Sequence, residues 1–357
     1  MSRALQLARK GEGRTSPNPL VGAVVVKNGR VVGEGFHKKA GAAHGEIEAL
    51  RKAGNQAKGA DLYVNLEPCC HFGKTPPCTR AIIAAGIKKV VIGMRDPNEL
   101  VLGKGIRELK KSSIAVIDGV LKRDCERLNE VFMKFIQTRR PFVTLKSAIS
   151  LDGKIATRTG ESRWITGAKA REKVHQMRDR ADVIVAGAGT VVKDDPFLTT
   201  RLRKKSVKHP VRVILDNEHL VPLTANVFKN SDCQRVLYAA GKNLPQARKE
   251  ELARRGVEVL QLQEKGGGVD LQRLMKALGE MQLTSVLIEG GGEVNASALA
   301  QGVVDKVIFF IAPILIGGKD APGSLGGPGI EDLRDAFKVK NMKVTAIGKD
   351  WMVEGYL

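Results

Sequence analysis

Short apolar runs alternate with segments of helical periodicity along most of this chain. An apolar run at 20–26 is followed by an Asn-Gly turn signal and a second run at 31–36, which indicates a hairpin. Segment 43–53 repeats apolar residues at helical spacing, and 61–66 and 88–94 are further short apolar runs. Strands that alternate with helices predict an α/β sheet with helices packed on its faces.

Pro141 separates this series from a second one. Segment 125–141 has helical periodicity that stops before the proline, which cannot continue a helix. A new series of apolar runs begins with FVTLKSAIS and ends with KVIFFIAPILIGG. The length of 357 residues suits two domains of roughly 100–200 residues each. We therefore predict one α/β domain over 1–140 and another over 141–357.

The composition excludes several classes of protein. Hydrophobic residues make up 43% of the chain, as in globular proteins. The chain has no run of about 18 uncharged apolar residues, so no membrane span is predicted. The first residues lack the apolar core of a signal peptide. Five cysteines, an odd number with three of them clustered, favour thiol chemistry in a reducing compartment over a disulfide framework. We expect a cytoplasmic protein with no membrane partner.

The formal net charge of +21 has three interpretations. It could serve nucleic acid, a phosphorylated small molecule, or only a lysine-rich solvated surface. Basic residues are dispersed among acidic ones, and only a short basic cluster at 201–205 stands out. Aromatic residues make up 4% of the chain, which is low for the stacking surfaces that bind single-stranded nucleic acid. The charge alone does not decide among the three, but the dispersed basic residues and the few aromatic residues favour a phosphorylated small molecule or a solvated surface over nucleic acid.

The segment LEPCCHFGKTPPC contains three of the five cysteines. A catalytic zinc takes three protein ligands and keeps a fourth position for water. His44, Cys69 and Cys78 supply one imidazole and two thiolates, and the helix starts expected beside His44 and Cys78 favour negative charge. If Glu46 does not bind the metal, it is placed to move protons between water and a leaving group.

Two other arrangements of these cysteines stay open. A closed Cys3His site would include Cys70, although adjacent cysteines rarely point into one tetrahedron, and a Cys70–Cys78 disulfide would bind no metal. An H-x-E motif followed by P-C and a further cysteine is typical of zinc deaminases, in which the glutamate is the general acid and base. In this chain eight residues, rather than two, separate Cys69 from Cys78.

Longer segments carry a resemblance that spans nearly the whole chain. They are TSPNPLVGAVVV, GEGFHKKAGAAHGEIEAL, VNLEPCCHFGKTPPC and AIIAAGIKKVVIGMRDPN, then LKSAISLDGKIA, GESRWITG, GAGTVVKDDPFLTTR and LIEGGGEVNASAL. In this order they resemble the bifunctional deaminase/reductase family of riboflavin biosynthesis. The resemblance implies a cytidine-deaminase-like α/β/α domain followed by a dihydrofolate-reductase-like α/β domain.

The same resemblance implies two reactions on a small phosphorylated pyrimidine. The first domain would use Zn²⁺ to deaminate a diaminopyrimidine that carries a phosphoribosylamino group. The second would use NADPH to reduce the ribosyl side chain to ribityl. No nucleic-acid partner is implied, and members of the family form homo-oligomers.

Site residues follow by matching positions to the family. The deaminase substrate would contact Asn18, His37, His71 and Lys74. The NADPH site would comprise Ala148, Trp164, Thr190, Asp194, Asn217, Gly291, Gly292, Glu293, Val294, Asn295, Ala296 and Ser297. The reductase substrate would contact Ser162, Arg178, Leu198, Arg201 and Glu289. Guanidinium groups such as those of Arg178 and Arg201 suit a ribose phosphate, and Lys146 is a candidate to protonate the ribose.

Two positions depart from the family pattern. Gly45 stands where alanine is common, and Cys70 stands where a serine hydroxyl is common. A rival hypothesis, a nucleic-acid-editing deaminase with an accessory domain, predicts no oxidation of NADPH. Another, a purely structural zinc module, has no need of Glu46.

Overall fold

The computed structural model describes residues 1–72, 76–204, 206–231 and 234–357. The chain divides into two compact units, Met1–Arg139 and Arg140–Leu357. Each unit is built on its own main sheet. Among the described residues, no helix is both long enough and apolar enough to span a membrane.

The first unit is a five-stranded sheet with helices on both faces. Its helices are α1 Ser2–Ala8, α2 Gly45–Ala53, α3 Cys78–Ala84, α4 Lys104–Lys111, α5 Lys122–Leu128 and α6 Glu130–Thr138. Its strands are β1 Gly22–Lys27, β2 Arg30–Phe36, β3 Asp61–Leu66, β4 Lys89–Met94 and β5 Ala115–Ile117. The strand order is β2-β1-β3-β4-β5, with β1 antiparallel to both of its neighbours and β3, β4 and β5 parallel.

Two glycines of β2 bring α2 into backbone contact with the sheet. A Cβ at Gly35 would lie 2.3 Å from the carbonyl oxygen of Gly45, and one at Gly33 would lie 2.2 Å from that of Ala49. Distances this short leave no room for a side chain. The first turn of α2, which follows His44, is therefore placed directly by the backbone of β2.

The single helix expected over 125–141 is two helices, α5 and α6, so that prediction is wrong. The break lies at Asn129, whose side chain is buried. Its Oδ1 accepts the N–H of Leu20 at 2.8 Å, and its Nδ2 donates to the carbonyl of Leu20 at 3.1 Å. An asparagine that satisfies a distant backbone segment in this way competes with helix continuation.

The second unit contains five helices among its described residues. They are α7 Ala168–Arg180, α8 Ala188–Asp194, α9 Gln246–Arg254, α10 Leu271–Glu280 and α11 Gly292–Ala300. The strands are β6 Phe142–Ser150, β7 Val183–Gly187, β8 Val211–Leu215, β9 Val236–Ala240, β10 Glu258–Gln261, β11 Glu264–Lys265, β12 Gly268–Val269, β13 Ser285–Ile288, β14 Lys306–Ala312, β15 Lys340–Ile347 and β16 Asp350–Tyr356.

Eight strands that run in one direction and one that runs in the opposite direction form the main sheet of this unit. The order is β10-β9-β8-β7-β13-β6-β14-β16-β15, with β16 antiparallel to both of its neighbours. Alternate residues of β7 enter two separate cores: Val183 and Val185 face one, and Ile184 and Ala186 face the other. The carboxyl ends of β7, β8, β13 and β6 meet at one edge, where open α/β sheets bind ligands.

Candidate active sites

Three metal-ligating atoms meet in the first unit. His44 is the N-cap residue of α2, Cys78 is the first residue of α3, and Cys69 follows β3. The Nδ1 atom of His44 lies 3.2 Å from Sγ of Cys78 and 3.6 Å from Sγ of Cys69. All three ligand atoms lie within 4.8 Å of one another. A tetrahedral zinc ion with these ligands needs N···S separations of about 3.6 Å, so the group fits zinc.

The two cysteines of this group differ electrostatically. Hydrogen bonds from the Cys78 thiol, from His44 and from the Cys78 N–H lower the pKa of Cys69 to about 4. The thiol of Cys78 shares its proton with Cys69 and is buried, so its pKa is raised. One thiolate is thus available before any metal binds, and zinc, which takes deprotonated thiols, would displace the shared proton.

Glu46 lies beside these ligands, on the first turn of α2. The residue is buried, and its Oε2 has no hydrogen-bond partner among the described residues. Burial raises the pKa of its carboxyl to about 7. A carboxyl group with an open oxygen and a pKa near neutrality is suited to take up a proton and release it again.

Asn18 and His37, both predicted to contact the substrate, lie together beside this group. Nε2 of His37 lies 3.1 Å from Nδ2 of Asn18, and its Nδ1 lies 3.1 Å from the carbonyl oxygen of Ala43. The His37 ring therefore donates from Nδ1 and accepts at Nε2, which is the neutral form, and burial lowers its pKa accordingly. The ring packs edge-on against His44 at 5.2 Å. Among the described residues Oδ1 of Asn18 has no hydrogen-bond partner, so it can accept from a ligand.

The other residues predicted for the deaminase site show no hydrogen bond with the metal-ligating group among the described residues. Nδ1 of His71 is buried and has no partner among the described residues, and Lys74 lies outside them. Cys70 is half-buried and does not belong to the metal-ligating group, its Sγ lying 3.9 Å from the carbonyl oxygen of Leu100. Both Cys70 and Cys78 are free thiols, so the disulfide alternative is wrong.

Two buried carboxyl groups next to the cysteine segment were not predicted. Glu67 accepts the N–H groups of Gly103 at 3.0 Å and Ile106 at 3.1 Å, and that of Asp96 at 3.3 Å. This holds the start of α4 against the segment that carries Cys69. Burial raises the pKa of Asp96 to about 7. The sequence signals were the acidic residues of LEP and RDPN, each placed directly after an apolar strand.

In the second unit, a buried carboxylate joins two cations. Nε and Nη2 of Arg178 donate to Glu289 at 2.6 and 2.9 Å, and Nζ of Lys146 donates to it at 3.1 Å. Burial alone would raise the pKa of Glu289, but the charges of Arg178 and Lys146 outweigh it and hold that pKa well below its usual range. The remaining hydrogen bond of Arg178, from Nη1, goes to the carbonyl of Thr199 at 3.0 Å.

This pairing changes the expectation for Arg178. Its guanidinium is engaged by Glu289, whereas Arg201 nearby has no side-chain partner among the described residues. Partial burial and the positive charge of Arg178 lower the pKa of Arg201, against the opposing effect of the Glu289 carboxylate. His175, which the sequence analysis missed, accepts the N–H of Arg201 at Nδ1, at 3.3 Å. Burial and the charges of Arg178 and Arg201 lower the pKa of His175 to about 4.

A second cluster gathers residues predicted for both the cofactor and the substrate. Oγ of Ser162 donates to Oδ1 of Asp194 at 3.1 Å, and Arg163 donates to the carbonyl of Asp194. Trp164 follows in the same loop with 65% of its surface exposed. The guanidinium of Arg171 lies over its ring, 4.5 Å from the centroid. The large exposed ring is available for contact with a planar ligand.

The glycine turn at the start of α11 meets α8. At Gly291 the atom nearest to a hypothetical Cβ is Oγ1 of Thr190, at 3.6 Å, and a Cβ at Gly189 would meet nothing within 4 Å. Val294 packs against Gly290. The buried Asn295 donates to the carbonyl of Ser324 at 2.9 Å, and its Oδ1 has no partner among the described residues. A helix start with open backbone suits a phosphate, so the residues fit a dinucleotide.

The remaining predicted residues of this half lie on several elements, and some of them contact the protein itself. Oδ1 of Asn217 accepts the N–H of Gly241 at 2.9 Å. Glu293 accepts the N–H of Gly327 at 3.2 Å and Ser297 accepts from Gln301 at 3.0 Å, so both contact the protein itself. Of the others, Ala148 lies on β6 and Leu198 lies in the loop after α8. Gly292 and Ala296 lie on the first and second turns of α11.

Comparisons with known proteins agree with this geometry. Residues 1–94 match the model of the cytidine and deoxycytidylate deaminase zinc-binding region, and residues 141–353 match that of the RibD C-terminal domain. The chain is 44% identical over 354 residues to riboflavin biosynthesis protein RibD of Actinobacillus pleuropneumoniae, covering 99% of this chain and 93% of that one. It is 46% identical over 351 residues to RibD of Bacillus amyloliquefaciens, covering 98% and 93%.

Solved structures agree as well. Acinetobacter baumannii RibD superimposes with a TM-score of 0.88 at 39% identity, over 99% of this chain and 97% of that one. A diaminohydroxyphosphoribosylaminopyrimidine deaminase/5-amino-6-(5-phosphoribosylamino)uracil reductase from Thermotoga maritima gives a TM-score of 0.87 at 40% identity, over 100% and 97%. The expected pair of folds, a cytidine-deaminase-like domain followed by a reductase domain, is confirmed.

Proposed function

Because the chain belongs to the RibD family of riboflavin biosynthesis proteins, we propose a division of its two reactions between the two sites described above. The protein is bifunctional, with a zinc-dependent deaminase and an NADPH-dependent reductase. Its first substrate is the diaminopyrimidine with a phosphoribosylamino group, and its second is the 5-amino-6-(5-phosphoribosylamino)uracil that deamination yields. Both are small molecules.

In the deaminase unit, His44, Cys69 and Cys78 hold the zinc ion. Zinc supplies Lewis-acid activation of a water molecule there. The water oxygen bonds to the amidine carbon, the exocyclic carbon–nitrogen bond breaks, and the nitrogen leaves as ammonia. Glu46 takes a proton from the water and gives it to the leaving nitrogen, which its open Oε2 and its pKa near 7 support.

Asn18 and His37 orient the pyrimidine in this site. His37 accepts from the amide nitrogen of Asn18, so the amide is fixed with Oδ1 as its free acceptor. An acceptor in this place selects a ring that presents an amino group. Cys70 is not a metal ligand in this assignment, and its Sγ lies 3.9 Å from the carbonyl oxygen of Leu100.

In the reductase unit, the chemistry that NADPH would supply when bound is a hydride for C1 of the ribosyl group. The bond between C1 and the ring oxygen breaks, and the oxygen takes a proton to become a hydroxyl. Lys146 is the proposed donor, because Glu289 holds its ammonium in place at 3.1 Å and leaves two N–H groups for other acceptors. Arg201, whose guanidinium has no partner among the described residues, binds the ribosyl phosphate.

The observation that carries the deaminase assignment is the open oxygen of Glu46 beside three converging ligand atoms. Glu46→Gln should lower ammonia release by about 10²–10⁴-fold while one zinc per chain is retained. NADPH consumption with the deaminated substrate should not change. Glu48→Gln, on the same helix, is the matched control, because the Glu48 carboxylate pairs with Lys38 and Arg51 and does not belong to the metal-ligating group. Normal ammonia release from zinc-loaded Glu46→Gln protein would refute the assignment.

We also infer a homo-oligomer formed through the second unit. Strand β15 is at the edge of the sheet, and Met342 and Val344 on it are 65% and 52% exposed. Trp351 on β16 is 50% exposed. An apolar surface at a strand edge favours association between copies. Sedimentation equilibrium of Val344→Asp protein should show a smaller species than the wild type, and an unchanged mass would reject this interface.

The cytoplasmic location stays a prediction.

A further inference from the structure

Residues 199–204 and 206–208 are held along the carboxyl-terminal half of α7. Arg178 donates to the carbonyl of Thr199 at 3.0 Å. Farther on, Asp179 accepts the N–H of Lys208 at 2.9 Å, and Asp182 accepts from its ammonium at 2.6 Å. The contacts of Arg178 and Asp179 fix Thr199 and Lys208 on α7, and Asp182 lies just beyond the end of that helix. Arg201 lies between Thr199 and Lys208.

Two imidazoles hold the backbone next to Arg201. Nδ1 of His209 accepts the N–H of Thr200 at 3.2 Å, and Nδ1 of His175 accepts the N–H of Arg201 at 3.3 Å. The two rings therefore accept hydrogen bonds from two consecutive backbone N–H groups, and His175 does so from α7.

The contact to Arg201 requires an uncharged imidazole. Nδ1 can accept only while it carries a lone pair, so the proton of the neutral ring lies on Nε2. The charged groups that act on the pKa of His175 are Arg178, Arg201, Lys146 and Glu289. Three cations against one carboxylate oppose a further positive charge, and burial acts in the same direction. The surroundings of His175 thus keep it an acceptor.

We propose that His175 is a positioning residue for the reductase substrate. Its Nδ1 fixes the backbone of Arg201, so that the unpartnered guanidinium is presented to the ribosyl phosphate in one conformation. His175 itself need not touch the phosphate. This inference rests on the proposed role of Arg201, since a phosphate ligand on an otherwise free segment would lose affinity to conformational entropy.

Substitutions at His175 can separate its two ring nitrogens. Asparagine places an amide group where Nδ1 lies, whereas glutamine reaches the position of Nε2. In the full-length protein, His175→Leu should raise KM for 5-amino-6-(5-phosphoribosylamino)uracil about three- to tenfold, the fold-change expected for one hydrogen bond. The kcat and the KM for NADPH should stay within about twofold. His175→Asn should recover most of the loss, and His175→Gln should not.

Glu172→Leu, an exposed substitution on the same helix, is the control and should leave every parameter unchanged. The proposal is overturned if His175→Leu leaves the substrate KM at the wild-type value. It is also overturned if glutamine restores KM and asparagine does not, because the Nε2 side would then make the contact. Parallel changes in kcat and in the KM for NADPH would indicate general damage to the unit and would equally reject it.

Arg201→Ala separates this inference from the proposed function. Loss of a charged hydrogen bond to phosphate should raise the substrate KM about 10- to 150-fold. If it does not, the assigned phosphate role of Arg201 fails and the inference fails with it. If Arg201→Ala raises KM but His175→Leu does not, only the positioning role is wrong. Because His175 acts through Arg201, the double variant should be no worse than Arg201→Ala alone.

Discussion

Replacing Asp96 with asparagine should stabilise the deaminase unit at alkaline pH. The residue is 6% exposed, and burial raises the pKa of its carboxyl to about 7, with the negative charges of Glu67 and Cys69 adding to the effect. The N–H of Asn98 donates to Oδ1 at 2.8 Å, and an asparagine oxygen can accept the same bond. The substitution removes the ionisable group and keeps this contact.

The direction of this stability change follows from which state of the chain, folded or unfolded, loses the proton at the lower pH. An aspartate in the unfolded chain titrates near pH ~3.9, whereas Asp96 in the folded unit keeps its proton up to pH ~7. Between these values the free energy of unfolding of the wild type falls by about 1.4 kcal/mol per pH unit, because only the unfolded chain releases the proton. The total is about 4 kcal/mol by pH 8. The Asp96→Asn protein would lose none of this, so its advantage over the wild type grows from about pH 4 to about pH 7 and is constant above.

Hydrogen exchange of peptides from β3 and β4 measures opening of this unit separately from the other. At each pH the ratio of wild-type to variant exchange rates gives the difference in opening free energy. We expect a ratio of about tenfold at pH 5 and about 10³ at pH 8 for the slowest amides. Asp118→Asn, at a surface ion pair with Arg95, is the control and should give a ratio near one. A ratio that does not change with pH, or faster exchange in Asp96→Asn at pH 8, would refute the reasoning.

Three further changes test other contacts. Glu289→Gln leaves Arg178 and a second cation buried without their counter-ion. This should lower the free energy of unfolding by about 3–5 kcal/mol and the thermal-inactivation midpoint of the reductase by about 6–20 °C. A shift under about 2 °C would argue against the pairing. Cys70→Ser should retain one zinc per chain and release ammonia within about threefold of the wild-type rate, and loss of zinc would make Cys70 a ligand after all. Gly35→Ala inserts a methyl group 2.3 Å from a backbone oxygen of α2. Zinc content and ammonia release should therefore both fall, while NADPH oxidation persists. Unchanged zinc content would show that α2 can shift to make room for the methyl group.

The metal-ligating group was predictable because each member lies at the end of a local element. His44 precedes α2 and Cys78 begins α3, and both helices have apolar periodicity that the sequence shows directly. The chemistry of one imidazole and two thiolates then restricts the metal, so a short pattern carried most of the prediction. The structure brings the three together as expected.

Contacts between distant segments were not predictable in this way. Arg178 and Glu289 are 111 positions apart, and their pairing depends on the placement of α7 against the end of β13. The break at Asn129 likewise depends on Leu20, 109 positions away. Local periodicity carries no information on such placements, and single residues could be assigned to a site only by the family resemblance.

Strands β15 and β16 were missed for a different reason. In the segment KNMKVTAI of β15, Met342, Val344 and Ala346 do alternate with polar residues, but the run is short, begins with polar residues and is exposed along most of its length, and the sequence analysis did not identify it as a strand. It also follows a long irregular stretch after β14, which ends at Ala312 because Pro313 cannot donate to a ladder. An edge strand whose apolar side chains face outward is read from sequence as a loop.

The glycine contact between β2 and α2 also limits how this enzyme could be redesigned. Because Gly33 and Gly35 meet the helix backbone, the interface offers no side chain that could be shortened or lengthened to move α2. A larger or smaller pyrimidine therefore cannot be accommodated by adjusting the helix that follows His44. Changes in substrate range must come from the loops around it, chiefly the one after β3 and the one before α4.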